Sequence, residues 1–233
     1  MSKFKDMPDE FLRRNYVPNV YQPSIYTIDY QKLKDAGIRF LSFDIDDTIA
    51  GLEDFNPPKA AKTLFEDLKN MGFEIMLLSN ALDNRVANFA KKLGIEGKYI
   101  ARAEKPLTSY FSKVQEICGL EKSQMAHIGN SIMDDVAGGN AFGVTTCLVR
   151  RAGVLTGLSQ KFLVIHQSEG KKLREELKKR GIWRKHHKYV DGDQYYQLGE
   201  IPGYVTREQA DAYAAAMQSH ESAYIESLKD LIK

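Results

Sequence analysis

Cysteine is nearly missing from this chain of 233 residues, which has only Cys118 and Cys147. Two thiols cannot build a disulfide framework, and both stand in apolar runs, where free cysteine behaves as a small hydrophobe. No run approaches the ~18 apolar residues of a membrane-crossing helix. The opening MSKFKDMPDE carries charges where a secretory signal needs its apolar stretch. A cytoplasmic setting is therefore expected, with any membrane contact peripheral. Net charge is small as well: 33 Lys and Arg against 31 Asp and Glu leave +2. That balance makes nucleic acid an unlikely partner. Repeats and low-complexity tracts are missing too. What remains, at 43% hydrophobic residues, suffices for one sizeable core with a small appendage.

The middle of the chain alternates short apolar runs with helical patterns. Phe40-Leu41-Ser42-Phe43 reads as a buried strand that runs into a carboxylate cluster. Asn56-Pro57-Pro58 then opens a helix with Ala61, Leu64, Phe65 and Leu68 on one face, ended by Gly72. Residues 75–78 form the next strand. A helix follows on Val86, Phe89, Ala90 and Leu93, stopped by Gly94. Tyr99-Ile100 is a short strand, and Leu107, Phe111, Val114 and Cys118 mark a helix closed by Gly119. Residues 125–128 and 144–149 supply two more strands, with a helix between them near residues 134–141. Strands alternating with helices of this length imply βαβ units, hence a Rossmann-like α/β fold with a parallel sheet and helices on both faces. Ligands in such sheets bind beyond the carboxyl ends of the strands, where the strand order reverses.

The tail has another character. Residues 162–165 read as a sixth strand, and Ser168 as the N-cap of a helix ending at Gly181. A basic cluster follows: Arg180, Arg184, Lys185, His186, His187 and Lys188, with Trp183 and Tyr189 nearby. It reads either as a patch for anionic lipid headgroups or nucleic acid, or as a solvated helix end, where the dipole favours cations. Asp191-Gly192 signals a hairpin, and Thr206 starts a capping box for a long last helix. The expected division is a lead-in over 1–36, a catalytic core over 37–152 and an α+β appendage over 153–233.

The chemistry concentrates in Phe43-Asp44-Ile45-Asp46-Asp47-Thr48, directly after the first buried strand. Asp44 and Asp46 are two apart; if the strand ends at Asp44, the turn can bring both to one site beyond its carboxyl end. Asp44 can then attack phosphorus and form an aspartyl phosphate, while Asp46 protonates the leaving oxygen and later activates water. A divalent cation must screen the attack of one anion on another. Ser79 and Asn80 end the second strand, where hydroxyl and amide can hydrogen-bond phosphoryl oxygens or cap the following helix. Lys105-Pro106 stands before a helix, placed to neutralise the phosphoryl group and Asp44. Gly129-Asn130-Ser131, with Asp134 and Asp135 beyond, completes an oxygen-ligand site suited to magnesium.

These four segments, DxDxT, Ser79, Lys105-Pro106 and residues 129–140, resemble the four motifs of the haloacid dehalogenase superfamily. Their spacing is similar to that of the small capless phosphatases of subfamily IIIA. The stretch 16–26, with Val17-Pro18 and Pro23-Ser24-Ile25, and the ending Asp135…Gly138-Gly139-Asn140 are similar to the YqeG and phosphatidylglycerophosphate phosphatase group. The resemblance covers about residues 10–152. It implies Asp44 as nucleophile and metal ligand, and Asp46 as general acid/base with its backbone carbonyl on Mg2+. It also implies Thr48, Ser79, Asn80 and Lys105 around the phosphoryl group, and Asp135 as the second acid of the fourth motif. One position departs: Asn130 stands where the group usually has an acid, which removes one negative charge from the metal site.

Neither interval, Thr48 to Ser79 or Asn80 to Lys105, has room for a cap domain. An uncovered site suits a bulky substrate or one presented on a surface, unless the tail or a partner acts as lid. The expected activity is magnesium-dependent hydrolysis of a phosphomonoester, with a phospholipid headgroup such as phosphatidylglycerophosphate as one substrate class and a soluble metabolite or nucleotide as another. A catalytically weak protein that binds a phosphorylated ligand, a lipid surface or RNA is the remaining alternative.

Overall fold

The computed structural model describes residues 4–22, 24–150, 152 and 158–182. Its centre is a six-stranded, all-parallel sheet in the order β1-β6-β5-β2-β3-β4. The strands are β1 (Val20–Gln22), β2 (Phe40–Phe43), β3 (Glu74–Leu78), β4 (Tyr99–Ile100), β5 (Met125–Gly129) and β6 (Thr145–Val149). β2 is buried along its whole length and pairs with β3 on one side and β5 on the other. The chain winds outward from β2 through β3 to β4, then crosses back to build β5 and β6. The order therefore reverses at β2, and the crevice at its carboxyl end is where a ligand is expected.

Helices cover both faces. Alternation along β2 sends Leu41 and Phe43 into one core cluster and Phe40 into the other. The first cluster takes Leu12 of α1 (Asp9–Tyr16), Leu33 of α2 (Tyr30–Asp35), Leu64 and Phe65 of α3 (Lys59–Asn70) and Phe89 of α4 (Asp83–Lys92). Phe43 and Phe65 meet there with ring centroids 4.9 Å apart. The second cluster takes Phe111 and Val114 of α5 (Ser109–Cys118) and Phe142 at the end of α6 (Ala137–Phe142). Leu107, expected inside the third helix, lies before it and is exposed.

Two expectations change. The sixth strand of the sheet is β1, from the lead-in, which pairs with β6 in the register Val20↔Cys147. Residues 162–165 lie within α7 (Leu158–Lys179), and the helix starts well before Ser168. Four apolar residues in a row cannot distinguish strand from helix by periodicity, and no proline interrupts this segment. α7 is anchored by Leu173 and Leu177, both fully buried in the first core cluster. Arg180 is not a free cation of a basic patch. Its guanidinium donates to the carbonyls of Phe4, Lys5 and Met7 and pairs with Asp9 and Glu176. The remainder of the basic cluster, the Asp191-Gly192 hairpin and the last helix lie outside the described residues.

The lead-in is also held by side chains of the fourth motif. Asn140 donates from Nδ2 to the Val17 carbonyl (2.9 Å), and its oxygen accepts from the Thr146 hydroxyl (2.8 Å). Asn19 Oδ1 in turn accepts from Thr146 N at 2.9 Å. Gly139 permits this close fit, because a Cβ there would stand 2.4 Å from Thr146 Cγ2.

Candidate active site

β2 ends at Phe43, and Asp44 N still bonds to the carbonyl of Ile128, so the Asp44 side chain emerges at the switch point. The turn beyond it closes tightly. The amides of Thr48, Ile49 and Ala50 all donate to the Ile45 carbonyl, and Asp47 adopts φ 60°. This turn brings Asp46 onto the same cavity as Asp44.

Asp44 is 6% exposed. Its Oδ1 lies 2.6 Å from Lys105 Nζ, and Oδ2 accepts from the Thr48 hydroxyl at 3.0 Å. Asn130 Oδ1 stands 3.4 Å from that same hydroxyl. Lys105 Nζ also meets Asp135 Oδ1 at 2.6 Å. Behind Asp135 sits His127, fully buried, with Nε2 3.1 Å from Oδ1. The register pairs Ser42 with His127, which sets the Ser42 hydroxyl 2.9 Å from Nδ1. The Ser42 hydroxyl also donates to the Ala126 carbonyl at 3.2 Å, and burial lowers the imidazole's pKa, which favours its neutral form. Asp135 Oδ2 accepts from the Ser131 amide at 2.9 Å. Ser131 caps a π-type turn, Ile132–Val136, which contains Asp135 and folds its carboxylate back over Gly129. A Cβ at Gly129 would fall 2.2 Å from Asp135 Cγ, so glycine is required there.

One ammonium thus serves two buried carboxylates. Burial would raise Asp135, but the Lys105 charge and the His127 hydrogen bond outweigh it and hold the carboxyl well below its usual range. Burial pushes Asp44 up to about 7 against the pull of Lys105, and the charges of Asp135 and Asp46 add to the rise. Burial also weakens Lys105's hold on its proton, yet the two carboxylates reverse this and keep it fully cationic.

The other expected residues fall around this pair. Ser79 is buried on the cavity wall, its Oγ accepting from Ala81 N at 3.1 Å. Asn80 also lines the cavity, but its amide brackets the Lys105 backbone: Oδ1 accepts from Lys105 N at 2.8 Å, and Nδ2 donates to Lys105 O. Sequence reasoning missed Arg85. From α4 it reaches back to Asp46, placing Nε at 2.9 Å and an Nη at 2.7 Å from Oδ1, and it donates to the carbonyls of Asp54 and Gly51. Burial raises Asp46 and Arg85 opposes that rise.

Among the described residues no three His, Cys, Asp or Glu side chains are grouped to hold a metal ion. Asp135 Oδ1 meets Lys105 and His127, while Oδ2 accepts one bond, from Ser131 N. The oxygens available to a cation are the Asp44 carboxylate, the Asn130 side-chain carbonyl, the backbone carbonyl of Asp46 and Asp135 Oδ2. These are hard donors of the type magnesium takes.

Residues 9–143 match the haloacid dehalogenase-like hydrolase family, more than half of the chain, and the chain belongs to that family. It is similar to the protein named Probable phosphatase YqeG of Bacillus subtilis (strain 168). The two are 28% identical over 173 residues, which cover 73% of this chain and 96% of that one. Its backbone is similar to cobalt-bound deoxy-D-mannose-octulosonate 8-phosphate phosphatase of Haemophilus influenzae, with TM-score 0.41 and 15% identity over 66% of this chain and 100% of that one. It is also similar to 3-deoxy-D-manno-octulosonate 8-phosphate phosphatase of Moraxella catarrhalis, in complex with magnesium, phosphate and sugar acid. There the TM-score is 0.41 at 16% identity, over 65% of this chain and 97% of that one. No helix among the described residues is long and apolar enough to cross a membrane.

Proposed function

We propose that the protein is a magnesium-dependent phosphatase that hydrolyses a phosphomonoester through an aspartyl phosphate on Asp44. The observation that carries this reading is Asp44 at the strand end, held between Lys105 at 2.6 Å and Thr48 at 3.0 Å on a cavity shared with Asp46 and Ser79.

An Asp44 oxygen attacks phosphorus, the bond to the leaving oxygen breaks, and Asp46 supplies that oxygen with a proton. Both Arg85 contacts fall on Asp46 Oδ1, so Oδ2 is the oxygen that transfers the proton. Asp46, now a carboxylate, takes a proton from water; the water oxygen bonds to phosphorus, and the bond to Asp44 breaks to release inorganic phosphate. Lys105 and the Ser79 hydroxyl neutralise and orient the phosphoryl oxygens. Asp44, Asn130, Asp135 and the Asp46 carbonyl would hold Mg2+, which would screen the repulsion between carboxylate and phosphate. Asp135 acts from behind, fixing Lys105 and Ser131.

Among substrates, a phospholipid headgroup such as phosphatidylglycerophosphate is favoured over a soluble metabolite. Phe55 (82% exposed), Leu82 (59%) and Leu107 (57%) sit on three successive connections that leave the carboxyl ends of β2, β3 and β4. Hydrogen bonds hold these connections: Asn88 of α4 donates to the Phe55 carbonyl, and Lys105 N donates to Asn80 Oδ1. An apolar rim beside an anion site suits a lipid surface.

A second reading rests on Asn130, whose missing charge weakens the hold on a cation and leaves a protein that binds phosphorylated ligands without turnover. The test is phosphate release from an aryl phosphate and from phosphatidylglycerophosphate in mixed micelles, with and without Mg2+, beside Asp44→Asn and Asn130→Asp. Release that needs Mg2+ and vanishes in Asp44→Asn supports the phosphatase. Release seen only after Asn130→Asp supports the binding protein.

A further inference from the structure

The cavity over Asp44 holds about 720 Å³, far more than a phosphoryl group needs and within the range of sites that enclose drug-sized ligands. One wall comes from no site motif. Lys171, Arg174, Glu175 and Lys178 of α7 line the same cavity as Asp44 and Lys105. Their spacing, i, i+3, i+4 and i+7, makes one helix face. Buried Leu173 and Leu177 lock the helix in rotation with that face toward the cavity. Arg150, just beyond β6, joins the wall. Tyr21 lines the same cavity, and the charges of Arg174 and Arg150 both act on its buried hydroxyl.

Four cations, Lys171, Arg174, Lys178 and Arg150, share this wall with one acid, Glu175; the cavity's other acids, Asp44, Asp46, Asp47, Asp134 and Asp135, come from the segments after β2 and β5. Arg174 Nε is buried and has no hydrogen-bond partner among the described residues. A buried charged donor left unmatched is costly, and such groups call for a ligand, ion or water. The phosphoryl site does not need this charge, since Lys105 already serves it.

We infer that this face of α7, with Arg150, is a second anion subsite. On the phosphatase reading above, its substrate class is a phosphomonoester that carries a second phosphate group, free or diesterified, several bonds from the scissile one. α7 thereby takes the place of the cap that the core lacks: it closes one side of the cavity and selects by charge.

Binding tests this without turnover. The full chain carrying Asp44→Asn is titrated in Mg2+ with glycerol 1-phosphate and with propane-1,3-diyl bisphosphate. The bisphosphate is expected to bind about tenfold tighter or more, as an added charge-assisted contact allows. Adding Arg174→Gln with Lys178→Gln brings that ratio near one. Adding Lys172→Gln, on the same helix but paired with Glu169 and off the cavity, keeps the ratio. Lys178→Glu alone, at an exposed position, serves if the double variant misfolds, and lowers the ratio likewise. A ratio near one in the parent, or one unmoved by Arg174 and Lys178, overturns the subsite. If wild type releases no phosphate while the ratio holds, the phosphatase reading fails and the subsite stands. A preference shared by phosphatidylglycerophosphate in micelles assigns the second phosphate to a lipid; one confined to the soluble bisphosphate assigns it to a metabolite.

Discussion

Lys105 and Asp135 meet at 2.6 Å with both side chains 3% exposed, and the same ammonium touches Asp44 at 2.6 Å. The lysine is therefore a structural counter-ion as well as the proposed phosphate ligand. Removing it leaves two carboxylates facing each other out of water. Lys105→Met should cost roughly 3–5 kcal/mol, the usual penalty for stranding a buried charge. It should also abolish phosphate release. Urea unfolding checks the first point, and an unchanged midpoint would show that water already reaches the pair.

Gly129 carries Asp135 on its bare Cα. A methyl there would sit 2.2 Å from the carboxylate carbon, and Asp135 would have to move. Gly129→Ala is predicted to lose about 1–3 kcal/mol by overpacking. Because Asp135 holds Lys105, phosphate release should fall as well. A variant with native stability and full activity would mean that the π-type turn yields at little cost.

Arg85 orients Asp46 through two contacts on one oxygen. Arg85→Met should slow leaving-group protonation roughly tenfold to a hundredfold, part of what a placed general acid contributes. The loss should appear in kcat for an alkyl phosphate and nearly vanish for a nitrophenyl phosphate, whose leaving group needs no proton. Equal losses on both would instead assign Arg85 to holding the loop through Asp54 and Gly51.

Arg85 also shows where sequence reading stops. The strand bearing Asp44 and the helices bearing Phe65, Phe89 and Phe111 were legible, because burial imposes a local period on each segment. Asp44, Ser79, Lys105 and Asp135 follow one another at strand ends, so their order along the chain already implied a common edge. Nothing local marks Arg85, a cation in the first turn of a helix, as the partner of a carboxylate 39 residues earlier. Nor could three residues of β1 announce a pairing with Cys147, Leu148 and Val149. The π-type turn that aims Asp135, and the α7 face that enters the cavity, depend on tertiary packing that no single segment encodes.

Asp44 sets activity against stability. Its carboxyl is raised from 3.8 to about 7 by burial. A group raised on folding binds its proton more tightly in the native state. Its favourable contribution is complete below the unfolded pKa and is lost as pH climbs through the folded one. Metal-free protein should therefore lose stability between about pH 4 and 7 on this account. Asp44→Asn removes the charge, keeps the shape and leaves Lys105 paired with Asp135. In chelator the variant should outlast wild type by roughly 1–3 kcal/mol at pH 8, with the gap narrowing toward pH 5. Added Mg2+ should raise the melting temperature of wild type more than that of the variant, since the proposed metal site loses its first carboxylate. Melting curves across pH, with chelator and with Mg2+, read all three effects. A gap that grows toward acid would show that Asp44 is ionised and stabilising in the native state, with Lys105 outweighing burial.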